Sequence, residues 1–476
     1  MRAFDSDNVE AQPQAAPGRL LGQEISNGAD DLALLGVGDG AGCSPEVDPA
    51  ALAYFNHREH IAIETHEIEF PGPAAKIARQ HHEPLRLQML GRPLLGGPAA
   101  FSRIRHPSKR APGIAFMSRP PARAFVEKWR DSARIREMQP KHHHTPRGFR
   151  NNYIESVTKS LGDVLRWQLQ RIRDRLPPPA AIPTPEAPAD LDFIRRNAAA
   201  GAEMTPAVTW IGHATMLVQA SGLCVLTDPI FSRRASPVQF AGPARAQEPG
   251  IAMGDLPHID VVVISHNHYD HLDRASVKAL ASQAGGSPLY LVPLGVKRWL
   301  EGLGITRVVE LDWWDGHSVA AGGGRPVEFR FTPAQHWSGR TLRDRNRTLW
   351  GGWAAMADDF HWFFTGDTGY SRDFADVRRR LGEFDLALIA VGACLPRWFM
   401  KDQHVDLEEA VQIHLDLGAK RSVGVHWGTF ALADDPLDQP IHELPAVRSA
   451  KSVSEEAFFL LPIGGTRRLS RRGDRV

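Results

Sequence analysis

The run Val261-Val262-Val263-Ile264-Ser265 passes directly into His266-Asn267-His268-Tyr269-Asp270-His271, which places three imidazoles and a carboxylate within six positions. A short apolar run ending in polar residues reads as a buried strand. His266 and His268 lie two apart, so in an extended chain their side chains leave on the same face and can converge on one ion. Asp270 and His271 fall where the chain turns into a helix-like stretch, Asp270 to Gln283, which aims them at a second, adjacent position. The spacing suits two metals better than one, and it demands a fold that delivers further ligands to the end of this strand.

Those ligands are sought at the ends of the other apolar runs. Strands are predicted at Val208 to Gly212, Met216 to Ala220, Leu223 to Thr227, Val261 to Ser265, Leu289 to Val292, Val327 to Thr332, Trp350 to Ala355, Trp362 to Thr365, Leu386 to Val391 and Ser422 to Val425. Helical stretches at Asp373 to Leu381 and Leu407 to Leu417 alternate with the later ones, which implies an α/β protein with sheets sandwiched between helices. His336, Asp367 and His426 each follow such a run at its carboxyl end, the edge where open α/β sheets place their sites. The division predicted is His266, His268 and His336 on one metal, Asp270, His271 and His426 on the other, and Asp367 between them. The three cysteines, Cys43, Cys224 and Cys394, are far apart, so nitrogen and oxygen must hold the metal; that donor set suits Zn2+ best, with Fe or Mn as alternatives. A bridged pair of ions makes hydroxide available near neutral pH and neutralises charge on a phosphoryl or carbonyl oxygen. Metal-assisted hydrolysis is the chemistry expected, with no Ser or Cys nucleophile.

Composition sets the surroundings. The net charge is +1 across 476 residues, so nothing global favours nucleic acid as a partner. No apolar window is long enough to span a bilayer, and the first thirty residues lack the pattern of a secretory signal. A cytoplasmic protein is expected, with peripheral membrane contact left open. Residues 1–140 are rich in Pro, Gly, Ala, Arg and His and hold no lasting period, which reads as a low-order extension. Residues 141–188 comprise an amphipathic helix and a Pro-rich linker. Within Asn152 to Leu176 the apolar residues Ile154, Val157, Leu161, Val164, Leu165, Leu169, Ile172 and Leu176 recur at three and four, and Lys159, Arg166, Arg171, Arg173 and Arg175 occupy the other face. That pattern fits either a helix packed on its own domain with a solvated basic face or one resting on anionic lipid. A hydrolase domain at 189–465 and a basic tail at 466–476 complete the organisation.

The ligand order His-x-His-x-Asp-His, His, Asp, His resembles the metallo-β-lactamase superfamily, which implies an αββα sandwich with a dinuclear site at the sheet edge. Longer segments are more specific: Trp210-Ile211-Gly212-His213-Ala214-Thr215, Thr227-Asp228-Pro229-Ile230-Phe231-Ser232, Leu311-Asp312-Trp313-Trp314, Gln335-His336-Trp337, Gly366-Asp367-Thr368-Gly369-Tyr370, Pro396-Arg397-Trp398-Phe399-Met400-Lys401 and His426-Trp427-Gly428-Thr429-Phe430. From about Thr145 to Pro445 they resemble the N-acyl-phosphatidylethanolamine-hydrolysing phospholipase D family. The resemblance implies a phosphodiesterase with two Zn2+ per chain that splits this lipid into N-acylethanolamine and phosphatidic acid by a hydroxide bridging the metals. It further implies catalytic roles for Asp270, Asp367 and His404, substrate contacts from Gln239, Phe240 and His404, a phospholipid substrate and a homodimer. Two departures fall near the presumed substrate mouth: Cys394-Leu395 stands where a Tyr-Glu pair is expected, and Phe240 where a Tyr is.

Rival readings are a hydrolase of a sugar-phosphate lactone or another small phosphoester, a redox carrier and a membrane-binding protein with a vestigial metal site. The intact His268 disfavours the carrier, because such relatives usually replace an early imidazole by carboxylate.

Overall fold

The computed structural model describes residues 141–474, apart from 323, 324 and 342. The expectation for 1–140 therefore lies outside the described residues. Two seven-stranded sheets dominate, and both follow one plan, an antiparallel half running into a parallel half. In the first sheet, β16 (Thr466–Arg468), β3 (Ala207–Gly212), β4 (Thr215–Ala220) and β5 (Leu223–Thr227) pair antiparallel, while β5, β6 (Val261–Val263), β7 (Leu289–Pro293) and β8 (Val308–Leu311) pair parallel. In the second, β9 (Gly316–Val319), β10 (Val327–Thr332), β11 (Gly352–Met356) and β12 (His361–Phe364) are antiparallel; β12, β13 (Leu386–Ala390), β14 (Ser422–Val425) and β15 (Phe458–Phe459) are parallel.

Alternation along the strands explains the layering. Val261 and Val263 point into the core between the sheets, with Trp210, Phe329, Phe331, Trp353 and Phe364. Val262 and Ile264 point the other way, against Val277 and Leu280 of helix α3 (Arg274–Ala281), Leu300 of α4 (Lys297–Glu301) and Ile194 of α2 (Leu191–Ala199). A strand covered on both faces needs apolar residues at every position, which is why β6 reads as an unbroken run. On the second sheet, α5 (Asp373–Leu381), α7 (Leu407–Leu417) and α8 (Gln439–Ala450) supply Phe374, Val411, Ile413 and Leu444 to the same buried cluster. The αββα sandwich implied by the resemblance is the fold observed.

Three expectations are corrected. Helix α1 spans only Leu161–Asp174, because Ser160 and Asp163 form a capping box that starts it there; Ile154 and Val157 precede it. The helix after the hexapeptide likewise begins at Arg274, capped by Asp273, which leaves His268 to Leu272 as a turn. The basic tail is not free: Thr466–Arg468 form β16, Leu469 is buried, and Arg472 Nε donates to Asp385 at 2.8 Å.

Residues 141–160 form a strap that begins with a hairpin, β1 (His144–Thr145) and β2 (Gly148–Phe149). It leads Asn151 onto the site described next.

Candidate metal centre

Each predicted ligand arrives from a strand end. His266 follows β6, His336 follows β10, Asp367 follows β12 and His426 follows β14. The connections are tight. Gly366 has φ +65°, and a Cβ there would lie 2.7 Å from that of Ser265 and 2.8 Å from the Gly351 carbonyl, so only glycine lets Asp367 approach the hexapeptide. His213, Asp228 and His426 adopt positive φ (52°, 33° and 64°), a cost that the surrounding packing must carry and that clusters at functional sites.

The structure brings together all seven predicted ligands. His266 Nε2 lies 2.8 Å from His268 Nδ1, and His336 Nε2 lies 3.4 Å from that same atom. These three imidazoles form one group able to hold an ion. Asp270, His271 and His426 form a second group with His213: Asp270 Oδ2 is 3.1 Å from His213 Nε2, 3.2 Å from His271 Nε2 and 3.4 Å from His426 Nε2. Asp367 Oδ2 sits between the groups, 3.0 Å from His271 Nε2, 3.2 Å from His426 Nε2, 3.8 Å from His266 Nε2 and 3.9 Å from His336 Nε2.

Outer partners fix the tautomers. Nδ1–H of His336 donates to the Gln403 carbonyl at 2.9 Å, and Nδ1–H of His271 donates to Asp228 at 2.7 Å. The Ser265 hydroxyl donates to Asp228, so its oxygen accepts from His266 Nδ1 at 2.8 Å. The Nε2 lone pairs of all three rings are thereby turned inward, as ligation requires. Asn151 of the strap holds the backbone of His336 from both sides, at 3.0 Å each. Arg340 clamps the hexapeptide: its Nη1 donates to the carbonyls of Asn267 (3.0 Å) and Leu272 (2.7 Å), and its guanidinium lies 3.9 Å from the Tyr269 ring centre.

The electrostatics match a site built for cations. Burial pushes His268 and His336 down to about 3 and His266 well below its ordinary value. Burial alone would also depress His426, but the adjoining Asp367 carboxylate lifts it to about 9. His271 is raised well above its usual range against burial, mainly by Asp367 and Asp270, and those carboxylates are held well below theirs by His271. The decisive test of fit is hydrogen bonding. Asp270 Oδ1, His271 Nε2, Asp367 Oδ1 and His426 Nε2 are all buried with no hydrogen-bond partner, a concentration of unmet demand that a cation would relieve.

His404, predicted as catalytic and substrate-binding, lies at the rim: it is half-buried, groups with His336 and Asp367, and its Nδ1 has no partner. Gln239 and Phe240 are not brought to the cluster. Gln239 closes its own loop, its amide accepting from Arg234 N–H at 3.0 Å and donating to the Arg234 carbonyl at 3.2 Å, while Phe240 is 82% exposed. Two members of the site were not predicted: His213, the fourth residue of the second group, and Asp228, which orients His271. Both stood within motifs quoted for their resemblance, but neither has a ligand-type neighbour close in sequence.

Known proteins are similar to this chain over part of its length. The family described as "Beta-lactamase superfamily domain" matches residues 224–427. The chain is 42% identical over 230 residues to N-acyl-phosphatidylethanolamine-hydrolyzing phospholipase D 1 of Caenorhabditis elegans, covering 47% of this chain and 64% of that protein. It is 41% identical over 266 residues to an uncharacterized protein of Mycobacterium bovis, covering 55% of this chain and 68% of that one. Identity is 36% to the mitochondrial N-acyl-phosphatidylethanolamine-hydrolyzing phospholipase D of Saccharomyces cerevisiae, over half of each chain. The chain thus spans just under two thirds of the nematode relative's length and half of the yeast relative's. It belongs to the β-lactamase superfamily, and the proteins it is similar to include these phospholipases D.

Proposed function

We propose that this chain is a zinc phosphodiesterase of phospholipase D type, hydrolysing N-acyl-phosphatidylethanolamine to N-acylethanolamine and phosphatidic acid. The observation that carries the reading is Asp367 Oδ2, placed within 3.0 to 3.9 Å of four imidazole nitrogens drawn from both ligand groups. One carboxylate oxygen shared in this way is what a pair of neighbouring ions needs.

In this reading His266, His268 and His336 would hold one ion, and His213, Asp270, His271 and His426 the other, with Asp367 within reach of both groups. A donor set of imidazole and carboxylate without thiolate favours Zn2+. A divalent pair so held supplies water acidified to near-neutral pKa and neutralises charge gathering on a phosphoryl oxygen. The protein's own groups do the rest. His404 offers the unpartnered Nδ1 to an oxygen of the phosphodiester, and the Arg397 guanidinium holds its carbonyl at 2.7 Å. Trp337 covers the outer side of His268, with ring centres 4.1 Å apart, and keeps bulk water off that ligand. Water adds to phosphorus, the bond to the ethanolamide oxygen breaks, and that oxygen leaves with a proton. Such a lipid is met at a membrane surface from the aqueous side, and no helix among the described residues is long and apolar enough to cross a membrane.

The test is purified protein on vesicles of mixed phospholipids, with and without chelator. Release of N-acylethanolamine that stops with chelator and returns with Zn2+ is the expected result. Release of choline, or turnover of a soluble sugar-phosphate lactone with none of the lipid, would overturn it.

A further inference from the structure

Helix α1 turns the wrong face to the protein. Its packed side is narrow: Trp167 is 7% exposed, stacks on Phe399 with ring centres 4.6 Å apart, and donates Nε1–H to Asp434 at 2.8 Å, while Arg171 pairs with the same carboxylate at 3.2 Å. Val164 completes the contact with Phe399, Met400 and Ala433. Four of the residues that gave the helix its apolar period stand outside. Leu161, Leu165, Leu169 and Ile172 are 65%, 60%, 58% and 73% exposed. At about 3.6 residues per turn they share a stripe about 80° wide. The Trp167 and Arg171 bonds prevent the helix from rotating to hide it.

We propose that this stripe is a docking surface for an anionic phospholipid membrane. Charge selects the occupant. Arg166 and Arg173 border the stripe on its outer side and Arg175 caps its end; Arg173 is 76% exposed and paired with its neighbour Asp174 at 2.7 Å, which leaves Arg166 and Arg175 to carry the positive border, and the Arg166 guanidinium lies 4.6 Å from the ring centre of Trp398, itself 37% exposed. Leucines bordered by arginine, with a half-exposed tryptophan beside them, match the layering of a lipid interface, where apolar chains lie beneath phosphates and indoles sit between. A second copy of the chain fits less well. Four side chains fall short of the roughly 800 Å² per partner that a specific interface buries, and the bordering arginines of two copies would face each other. The surface also leads to the site: Phe399 and Met400 lie on α6 (Arg397–Met400), and His404 N–H donates to the Met400 carbonyl at 2.9 Å. Only the purpose of the docking, delivery of lipid past His404, rests on the phosphodiesterase reading; the surface itself does not.

The experiment is co-sedimentation of the full chain with vesicles of phosphatidylcholine alone and of phosphatidylcholine with phosphatidylglycerol. Neither contains the proposed substrate, so the outcome is independent of catalysis. Binding is expected to the mixed vesicles only, weakened roughly tenfold or more in L165Q/L169Q and reduced to background in R166E/R173E. Hydrolysis of a soluble phosphodiester and the melting temperature should be unchanged in both variants. Three results would overturn the proposal: wild-type protein that ignores both vesicles, equal binding by wild type and L165Q/L169Q, or a lipid-free dimer that L165Q/L169Q converts to monomer, which would make the stripe a contact between copies.

Discussion

Two clusters among the described residues gather histidines around a carboxylate, and they differ in what is left unpaired. Where the strap meets the end of β8, Asp312 Oδ1 accepts from His143 at 2.6 Å and from Trp313 N–H at 2.7 Å, while Oδ2 accepts from Lys141 at 2.6 Å and His144 at 2.8 Å. The carboxylate is saturated, and a cation already sits on it. In the metal centre, by contrast, four polar atoms on four ligand side chains, Asp270, His271, Asp367 and His426, lie buried without a hydrogen-bond partner. Both clusters have the residue types and the proximity to hold an ion. Unspent lone pairs, rather than composition, separate a site that waits for a cation from one that is finished without it.

The comparison breaks most visibly at Asp367. D367A should lower hydrolysis by ~10³-fold or more, because it removes the oxygen common to both groups. Metal analysis of the purified variant should also show less bound metal, an outcome that simple loss of a proton carrier would not produce. Arg340 comes next. Substitution R340M frees the Asn267 and Leu272 carbonyls, loosens the turn that carries His268, Asp270 and His271, and should weaken metal affinity by about 10- to 100-fold. Competition with a chromogenic chelator measures this directly.

The strap answers to pH instead of metal. Burial raises the Asp312 carboxyl, and bonds from His143, Lys141 and His144 outweigh it and hold it well below the usual range. A depressed folded-state value contributes stability that is present above the unfolded value of about 4 and is lost as pH falls towards the folded one. D312N should therefore cost ~1–2 kcal/mol at pH 7, discounted because Lys141 and His144 are open to solvent. The gap to wild type in urea midpoints should stay constant from pH 7 to about 5 and close below about 4. Metal content should not change.

What was legible in the sequence followed from local order. The hexapeptide shows itself because four ligands lie within one turn of chain, and His336, Asp367 and His426 follow runs whose β character is plain. His213 also ends a strand, β3, but its partners Asp270 and His426 are 57 and 213 positions away, and a lone imidazole carries no metal signal by itself. Asp228 was hidden for the same reason. Among the elements, Leu407–Leu417 and Asp373–Leu381 were read correctly because each has a strong apolar period. Helix α8 was missed: it contains Pro440 and Pro445 and has no clear apolar face, so only packing through Leu444 reveals it. For α1 the period grouped Leu161, Leu165, Leu169 and Ile172 correctly but left open whether the domain covers them, since periodicity tells which residues share a face and not whether anything covers it.

The smallest expected effect sharpens the comparison furthest. The His144 side chain is 42% exposed and supplies one of the four bonds that saturate Asp312. Its replacement in H144Q keeps a donor near the carboxylate, so the stability cost should be a few tenths of a kcal/mol, the usual size for a solvent-screened pair. If the strap is self-satisfied, zinc titrated into H144Q should saturate at the same stoichiometry as in wild type, with His143 and Lys141 still covering Asp312. A stoichiometry lower by one ion in the variant would place a metal on the strap. The saturated carboxylate would then be no obstacle to ligation, and unpaired lone pairs would lose their power to distinguish the two clusters.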